Sequence, residues 1–275
     1  MCGKEEDDMR KGKYRWQESP KVGMHRMKPL TLVLALVLVV GTVAGGTVAW
    51  LIADTEHVVN TFTYGDINLK LDETEVDGKG TPVDKDGDGS TDRTTKGNEY
   101  EMVPGKEYLK DPAVTVLAGN EACWLFVKLE EKGGVTITNG DGSTTTYDFG
   151  DYLIYAVADN WTQLLDAEGN AVKGIYFCQV DEDTDDTGIV YEVLKDNKIS
   201  VPDTVSKDML NALDGNGENA DTAAYPSLSV TAYAVQYSGF EAEVSEGADT
   251  PTQEQTNAAA WKAWKVVEAK NSTNP

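Results

Sequence analysis

The chain has 275 residues, 40% of them hydrophobic, with 24 basic and 47 acidic side chains and a net charge of −23 at neutral pH. That length and apolar content suffice for one large domain or two small ones with a substantial core. The acidity argues against a binder of nucleic acid or of anionic membrane surfaces, because those partners are recognised through clustered Lys and Arg.

Residues 1–28 hold eight basic and five acidic residues and read as a basic cytoplasmic n-region, with Met24 and Met27 as alternative starts. Cys2 precedes the apolar run instead of following it, so it is not a lipoprotein cysteine. From Pro29 to Ala53 the chain carries no charge. Residues 30–40 have the length of a signal-peptide core, and residues 41–49 turn to small side chains as a cleavage region does. Residues 29–49 are therefore expected to be a signal peptide cut between Ala49 and Trp50. An uncharged run of this length also exceeds the about 20 residues needed to span a bilayer, so an uncleaved membrane anchor stands as the alternative. Gly41, Gly45 and Gly46 disfavour that helix by about 1 kcal/mol each relative to Ala. On both readings the body is extracellular or at the cell surface, a signal peptidase is a partner during export, and the membrane is met only through this segment. Loss of residues 1–49 leaves sixteen basic and forty-two acidic residues, a net charge of −26.

From Trp50 onward the pattern is of strands and turns. Residues 58–73 alternate, with Phe62, Tyr64, Ile67, Leu69 and Leu71 apolar and a phase shift at Gly65-Asp66, which predicts one long strand or two. Residues 73–98 are dense in Gly, Asp, Lys and Thr and form an acidic insertion expected to be a surface loop outside the core. Val103-Pro104-Gly105 is a turn signal with strands on either side. Residues 113–118 form a short apolar run. Residues 123–131 set Trp124, Phe126, Lys128 and Glu130 against Cys123, Leu125, Val127 and Leu129, as a half-buried strand would. Residues 135–138 and 144–149 read as a hairpin across Asn139-Gly140-Asp141-Gly142, and 152–157, 161–165, 175–180 and 189–194 as further strands. A helix is expected over 206–213, an alternating strand over 227–237, and a second helix over 257–270. In that last helix Trp261, Trp264 and Val267 form a stripe that docks on a sheet edge or end, or else offers its tryptophans to a partner or sugar. About a dozen short strands with only late helices predict an all-β fold: an antiparallel β-sandwich of jelly-roll type over 50–275, with two short helices near the C-terminus, preceded by the signal or transmembrane helix. Cys123 and Cys178 are the number one disulfide needs, yet each lies in an apolar run where a free thiol serves as a small buried hydrophobe.

Three constellations bear on chemistry. Asp84, Asp86, Asp88, Ser90 and Asp92 follow the spacing of an EF-hand-like calcium loop, with Gly89 at its sixth position. The twelfth position, where a bidentate Glu is expected, is Thr95, and flanking helices are missing, so weak calcium binding competes with a solvated acidic turn. The run 181–186 is a second acidic stretch, read as a solvated hairpin tip. A zinc or nucleophile centre finds no support: His25 lies before the apolar run, His57 is the other histidine, and HExxH and GxSxG are absent.

The junction GGTVAWLIADTE over residues 45–56, followed by NTFTYGDINL over 60–69, resembles the proteins exported through the SipW-type signal peptidase of Gram-positive bacteria, which include TasA-like biofilm fibre subunits and camelysin. CWLFVKLEE, SVPDTVSKDMLNAL, YPSLSVTAYAVQ and AAAWKAW are similar to a clostridial branch of that group, and the 73–98 insertion departs from it. The resemblance implies a non-enzymatic jelly-roll matrix or fibre subunit that self-associates, or joins other matrix proteins, by donor-strand exchange. Residues 50–60 would be the donated segment, with Trp50, Ile52 and Val58 as its pegs; pairing within its own sheet is the alternative. Camelysin's metallo-endopeptidase label implies a rival enzyme reading, against which a single histidine after the junction counts. A calcium-dependent adhesion or glycan-binding module is the third reading. The absence of an LPxTG motif implies release or non-covalent retention after cleavage.

Overall fold

In the computed structural model, residues 67–138, 141–182, 188–213 and 225–272 are described in full, together with the backbone of 52–54 and 59–60. The expected signal segment, Ala49, Trp50, Val58 and the 181–186 tip beyond Glu182 lie outside the described residues. No described helix is long and apolar enough to cross a membrane.

In chain order the elements are β1 (Ile52–Asp54), β2 (Val59–Asn60), β3 (Leu69–Thr74), β4 (Arg93–Thr94), β5 (Glu99–Glu101), β6 (Glu107–Leu109), β7 (Ala113–Val116), β8 (Cys123–Lys132), β9 (Gly134–Thr138) and β10 (Thr144–Asp148). A one-turn helix α1 (Phe149–Tyr152) follows, then β11 (Thr162–Leu165), β12 (Ala171–Val180), β13 (Ile189–Glu192), β14 (Lys198–Ser200), α2 (Lys207–Leu213), β15 (Ser227–Gln236) and α3 (Gln253–Ser272). Five strands pair in the order β11-β12-β8-β15-β2 and four in the order β13-β7-β3-β4, while β1 pairs with β5, β6 with β14 and β9 with β10. The parallel pairing of β2 with β15 stands apart from the other ladders, which are antiparallel. The fold is thus β-rich and antiparallel, as the strand pattern predicts.

One face of the five-stranded sheet packs on the four-stranded sheet. Cys123, Leu125, Val127 and Leu129 of β8 and Leu228, Val230, Ala232 and Ala234 of β15 share a core with Leu71, Val114 and Val116. The opposite face is covered as well: Trp124, Phe126, Phe177, Tyr233 and Val235 pack with Ala259, Ala260, Ala263, Trp264 and Val267 of α3. The expected half-buried β8 is therefore a central strand buried on both faces, because a helix lies over the side that alternation assigned to solvent. The tryptophan stripe docks on the body's own core as expected, against a sheet face instead of an edge or end. Trp264 and Val267 are buried, Trp261 is half-buried, and Ala259, Ala260 and Ala263 complete the contact by letting the helix approach the sheet.

Several boundaries move for local reasons. The last helix is not short and starts at Gln253, because Thr252 and Gln255 cap each other reciprocally: Gln255 N–H donates to Thr252 Oγ1 at 3.2 Å and Thr252 N–H to Gln255 Oε1 at 2.8 Å. Residues 152–157, expected as a strand, instead end α1 and make isolated bridges from Ile154 to Ser200 and from Val157 to Leu194. Gly105, with φ of 76°, closes the expected turn between β5 and β6, and Lys106 N–H reaches Val103 O at 3.1 Å. Gly174 marks a bulge in β12, where a Cβ would lie 2.1 Å from the Leu129 carbonyl oxygen.

Cys123 and Cys178 are both free. Cys123 faces Val180 across the ladder and Cys178 faces Leu125, so the two are diagonal neighbours on one face. Diagonal Cα atoms are about 7–8 Å apart, beyond what a disulfide spans without moving the strands. Burial pushes both thiols up to about 12, with each other's proximity adding to Cys178.

Candidate functional site

Strands β1 and β2, from the segment after the expected cleavage position, lie at sheet edges. In β1, Ile52, Ala53 and Asp54 pair with Glu101, Tyr100 and Glu99. In β2, Val59 and Asn60 pair in parallel with Thr231 and Ala232 of β15, a register of two residues on a ten-residue strand. Of the three predicted pegs, Ile52 falls in β1. At the other end of this sheet a side chain engages the last residue of β11: Asn257 of α3 accepts from Leu165 N–H at 2.9 Å and donates to Leu165 O at 3.0 Å. This amide occupies the Leu165 backbone groups that a foreign strand would use.

A polar network fastens the acidic insertion to the sandwich. Leu69, Leu71 and Glu73 alternate along β3, and the phase that buries Leu71 also buries Glu73, which is 0% exposed. Glu73 Oε2 accepts from Lys110 Nζ at 3.0 Å, and Lys110 is itself 2% exposed. Glu73 Oε1 accepts from the Asn98 backbone N–H at 3.1 Å and from Asn98 Nδ2 at 2.9 Å. Asn98 Nδ2 also donates to Thr74 O at 2.8 Å, and its Oδ1 accepts from Val76 N–H at 3.0 Å. The Tyr100 ring stands 5.9 Å from Lys110 Nζ and packs edge-on to Tyr108. Burial, with the Glu73 charge beside it, pushes the Tyr100 phenol well above its ordinary range.

Next to this network Arg93 of β4 holds two carboxylates. Its Nε donates to Asp72 Oδ1 at 2.7 Å and its Nη1 to Asp111 Oδ2 at 3.0 Å. Burial acts to raise the Asp72 carboxyl, but Lys70 and Arg93 outweigh it and hold the group below the usual carboxylate range. The ends of the 73–98 insertion are therefore buried and ordered by charge, which corrects the expectation of a loop without a core role. The signal in the sequence was Glu73 itself, in phase with Leu69 and Leu71.

Farther out, Asp84, Asp86 and Asp88 are exposed and each offers one oxygen within 4.8 Å of the others. The loop is shaped by its own backbone. Gly87 and Gly89 N–H donate to the two oxygens of Asp84 at 2.7 and 2.9 Å, and these bonds lower the Asp84 carboxyl. Ser90 Oγ donates to Asp88 Oδ1 at 2.5 Å, and Asp92 Oδ2 accepts from Lys85 N–H at 2.7 Å. Three of the predicted calcium ligands thus converge, and Ser90 and Asp92 are not part of that cluster. The donor set fits calcium in part: the hard carboxylate oxygens are present, and the coordination expected from positions 9 and 12 is not assembled.

Trp261 borders a groove of about 630 Å³ between the β11–β12 turn and the start of α3, lined by Leu165, Asp166, Glu168, Glu254 and Ala258. Lys265 Nζ lies 5.1 Å from its ring centre. Comparison of the chain with family models, with characterised proteins and with solved structures gives no match.

Proposed function

We propose that the protein is a secreted, non-enzymatic matrix or fibre subunit of the SipW-dependent type, a jelly-roll sandwich that assembles by donating residues 50–60 to a neighbouring copy. The observation that carries this reading is the position of β1 and β2. Both come from the segment directly after the export junction, and both rest at sheet edges through short ladders. A neighbour's copy of that segment can make the same backbone hydrogen bonds, so exchange conserves pairing while linking subunits. The β15 side, where β2 holds only a two-residue ladder, is the edge where such addition would propagate. Against the peptidase alternative stand the single histidine after residue 49 and the lack of an HExxH motif.

Calcium, where it binds, would be held by Asp84, Asp86 and Asp88 and would order the insertion. The adhesion alternative gains one specific feature, the Trp261 groove, where an aromatic ring beside carboxylates suits an uncharged sugar.

The test is N-terminal sequencing of protein secreted by the native host, with size-exclusion chromatography with and without calcium. A start at Trp50 and elongated high-mass species that vanish when residues 50–60 are deleted are the expected results. An apolar segment retained in the membrane fraction, a monomer under all conditions, or undiminished assembly of the deletion variant would overturn the reading.

A further inference from the structure

The Glu73, Asn98 and Lys110 cluster places an amine, a carboxamide and a carboxylate together away from water. An ion pair buried this deeply is a poor device for stability, since desolvation of both charges offsets their attraction. Its geometry suits a reaction instead. Glu73 contacts both nitrogens that such a reaction would involve: Oε2 accepts from Lys110 Nζ at 3.0 Å and Oε1 from Asn98 Nδ2 at 2.9 Å. On the third side, Val76 N–H donates to Asn98 Oδ1 at 3.0 Å, which polarises the amide carbonyl.

We propose that Lys110 and Asn98 become joined by an intramolecular isopeptide bond, with Glu73 as the proton carrier. The Lys110 ammonium gives a proton to Glu73 Oε2, and the neutral amine attacks Asn98 Cγ. Negative charge collects on Oδ1, where the Val76 N–H already points. Glu73 returns a proton to Nδ2, the Cγ–Nδ2 bond breaks, and ammonia leaves, taking up the remaining proton as ammonium. An ammonium and a carboxamide thus become a secondary amide and an ammonium ion, with no oxidant or reductant involved. Positioning replaces an external catalyst, because the reacting groups are already held on one carboxylate. Exclusion of water protects the product from hydrolysis.

The bond closes residues 98–110 into a ring around the Val103-Pro104-Gly105 turn. It thereby locks the return of the insertion to the strand that leads into β7. The inference is independent of the fibre reading, since a monomeric adhesion module would carry the same bond.

The experiment is intact-mass spectrometry of the purified full chain, followed by tryptic peptide mapping. Cleavage after Lys96 and Lys106 separates the two partners, so the expected product is a branched peptide in which residues 97–106 are linked to a peptide beginning at Glu107 and uncut at Lys110. The whole protein is lighter than its sequence by one ammonia. Glu73→Gln keeps the hydrogen-bonding shape without the proton carrier and is expected to slow the reaction about 100-fold or more. Asn98→Ala is expected to abolish the linkage and restore the mass. A wild-type protein that yields separate 97–106 and 107–110 peptides would overturn the proposal, as would ammonia loss that persists in Asn98→Ala. Should either variant fail to fold by circular dichroism, the wild-type peptide map alone decides.

Discussion

Replacing Trp264 by Ala tests whether α3 is part of the core. Trp264 is 4% exposed, and its ring lies 5.4 Å from that of Phe126 and 5.6 Å from that of Tyr233, so the helix is pinned to two adjacent strands. Truncating a buried aromatic side chain to Ala costs about 3–5 kcal/mol, transfer and cavity together. For a body of this size that corresponds to a fall in Tm of roughly 6–20 °C. Trp264 Nε1 has no hydrogen-bond partner among the described residues. Trp264→Phe therefore removes an unpaired donor while keeping an aromatic ring, and is expected to change stability by no more than about 1 kcal/mol. Trp261, half-buried beside the groove, should tolerate Ala far better. Urea and thermal denaturation of the chain lacking residues 1–49 measures all three variants. Equal costs for Trp261→Ala and Trp264→Ala, or a cost below about 1 kcal/mol for the latter, would refute the placement of α3 on the sheet.

Two further outcomes follow from the same packing. Asn257→Ala leaves the Leu165 N–H and C=O without their partner; a loss of about 1–3 kcal/mol is expected, together with concentration-dependent association through the opened β11 edge, read by light scattering. Asp72 has a folded-state carboxyl below its ordinary value, so its contribution is present above the unfolded value of about 3.9 and disappears as the pH falls through the folded one. Asp72→Asn should accordingly be less stable than wild type near neutrality and should show a flatter loss of stability below about pH 4; parallel acid limbs for the two proteins would count against the Arg93 and Lys70 pairing.

Several strand positions along the chain were legible, though not the order in which they pair. Alternation located β8 and β15, short apolar runs located β13 and the second half of β12, and the Val103-Pro104-Gly105 signal located the turn between β5 and β6, because these depend on backbone preferences that act over a few residues. The start of α3 was readable too, in the Thr252–Gln255 cap, but the apolar stripe drew attention four residues downstream. Of the residues in the calcium-loop spacing, Asp84, Asp86 and Asp88 lie together in the structure. The spacing could not reveal that Ser90 and Asp92 turn to Asp88 and to the Lys85 backbone, since those bonds depend on the path of the loop. The Glu73, Asn98 and Lys110 cluster is not legible in the sequence, because a stretch rich in Gly and Asp looks solvated throughout and composition averages over the few residues that anchor its ends.

By itself the sequence determined the acidity of the chain and the β-rich class, which follow from charge and period. The tertiary structure alone decided which faces of those strands are buried and which charges meet. The outer side of β8 is dry because α3, more than a hundred residues later, lies over it. Glu73 is paired because β3, the chain before β5 and the end of β6 converge at one point. Pattern along a chain specifies what each residue prefers, whereas burial and pairing depend on neighbours brought together from distant positions, and no local period encodes them.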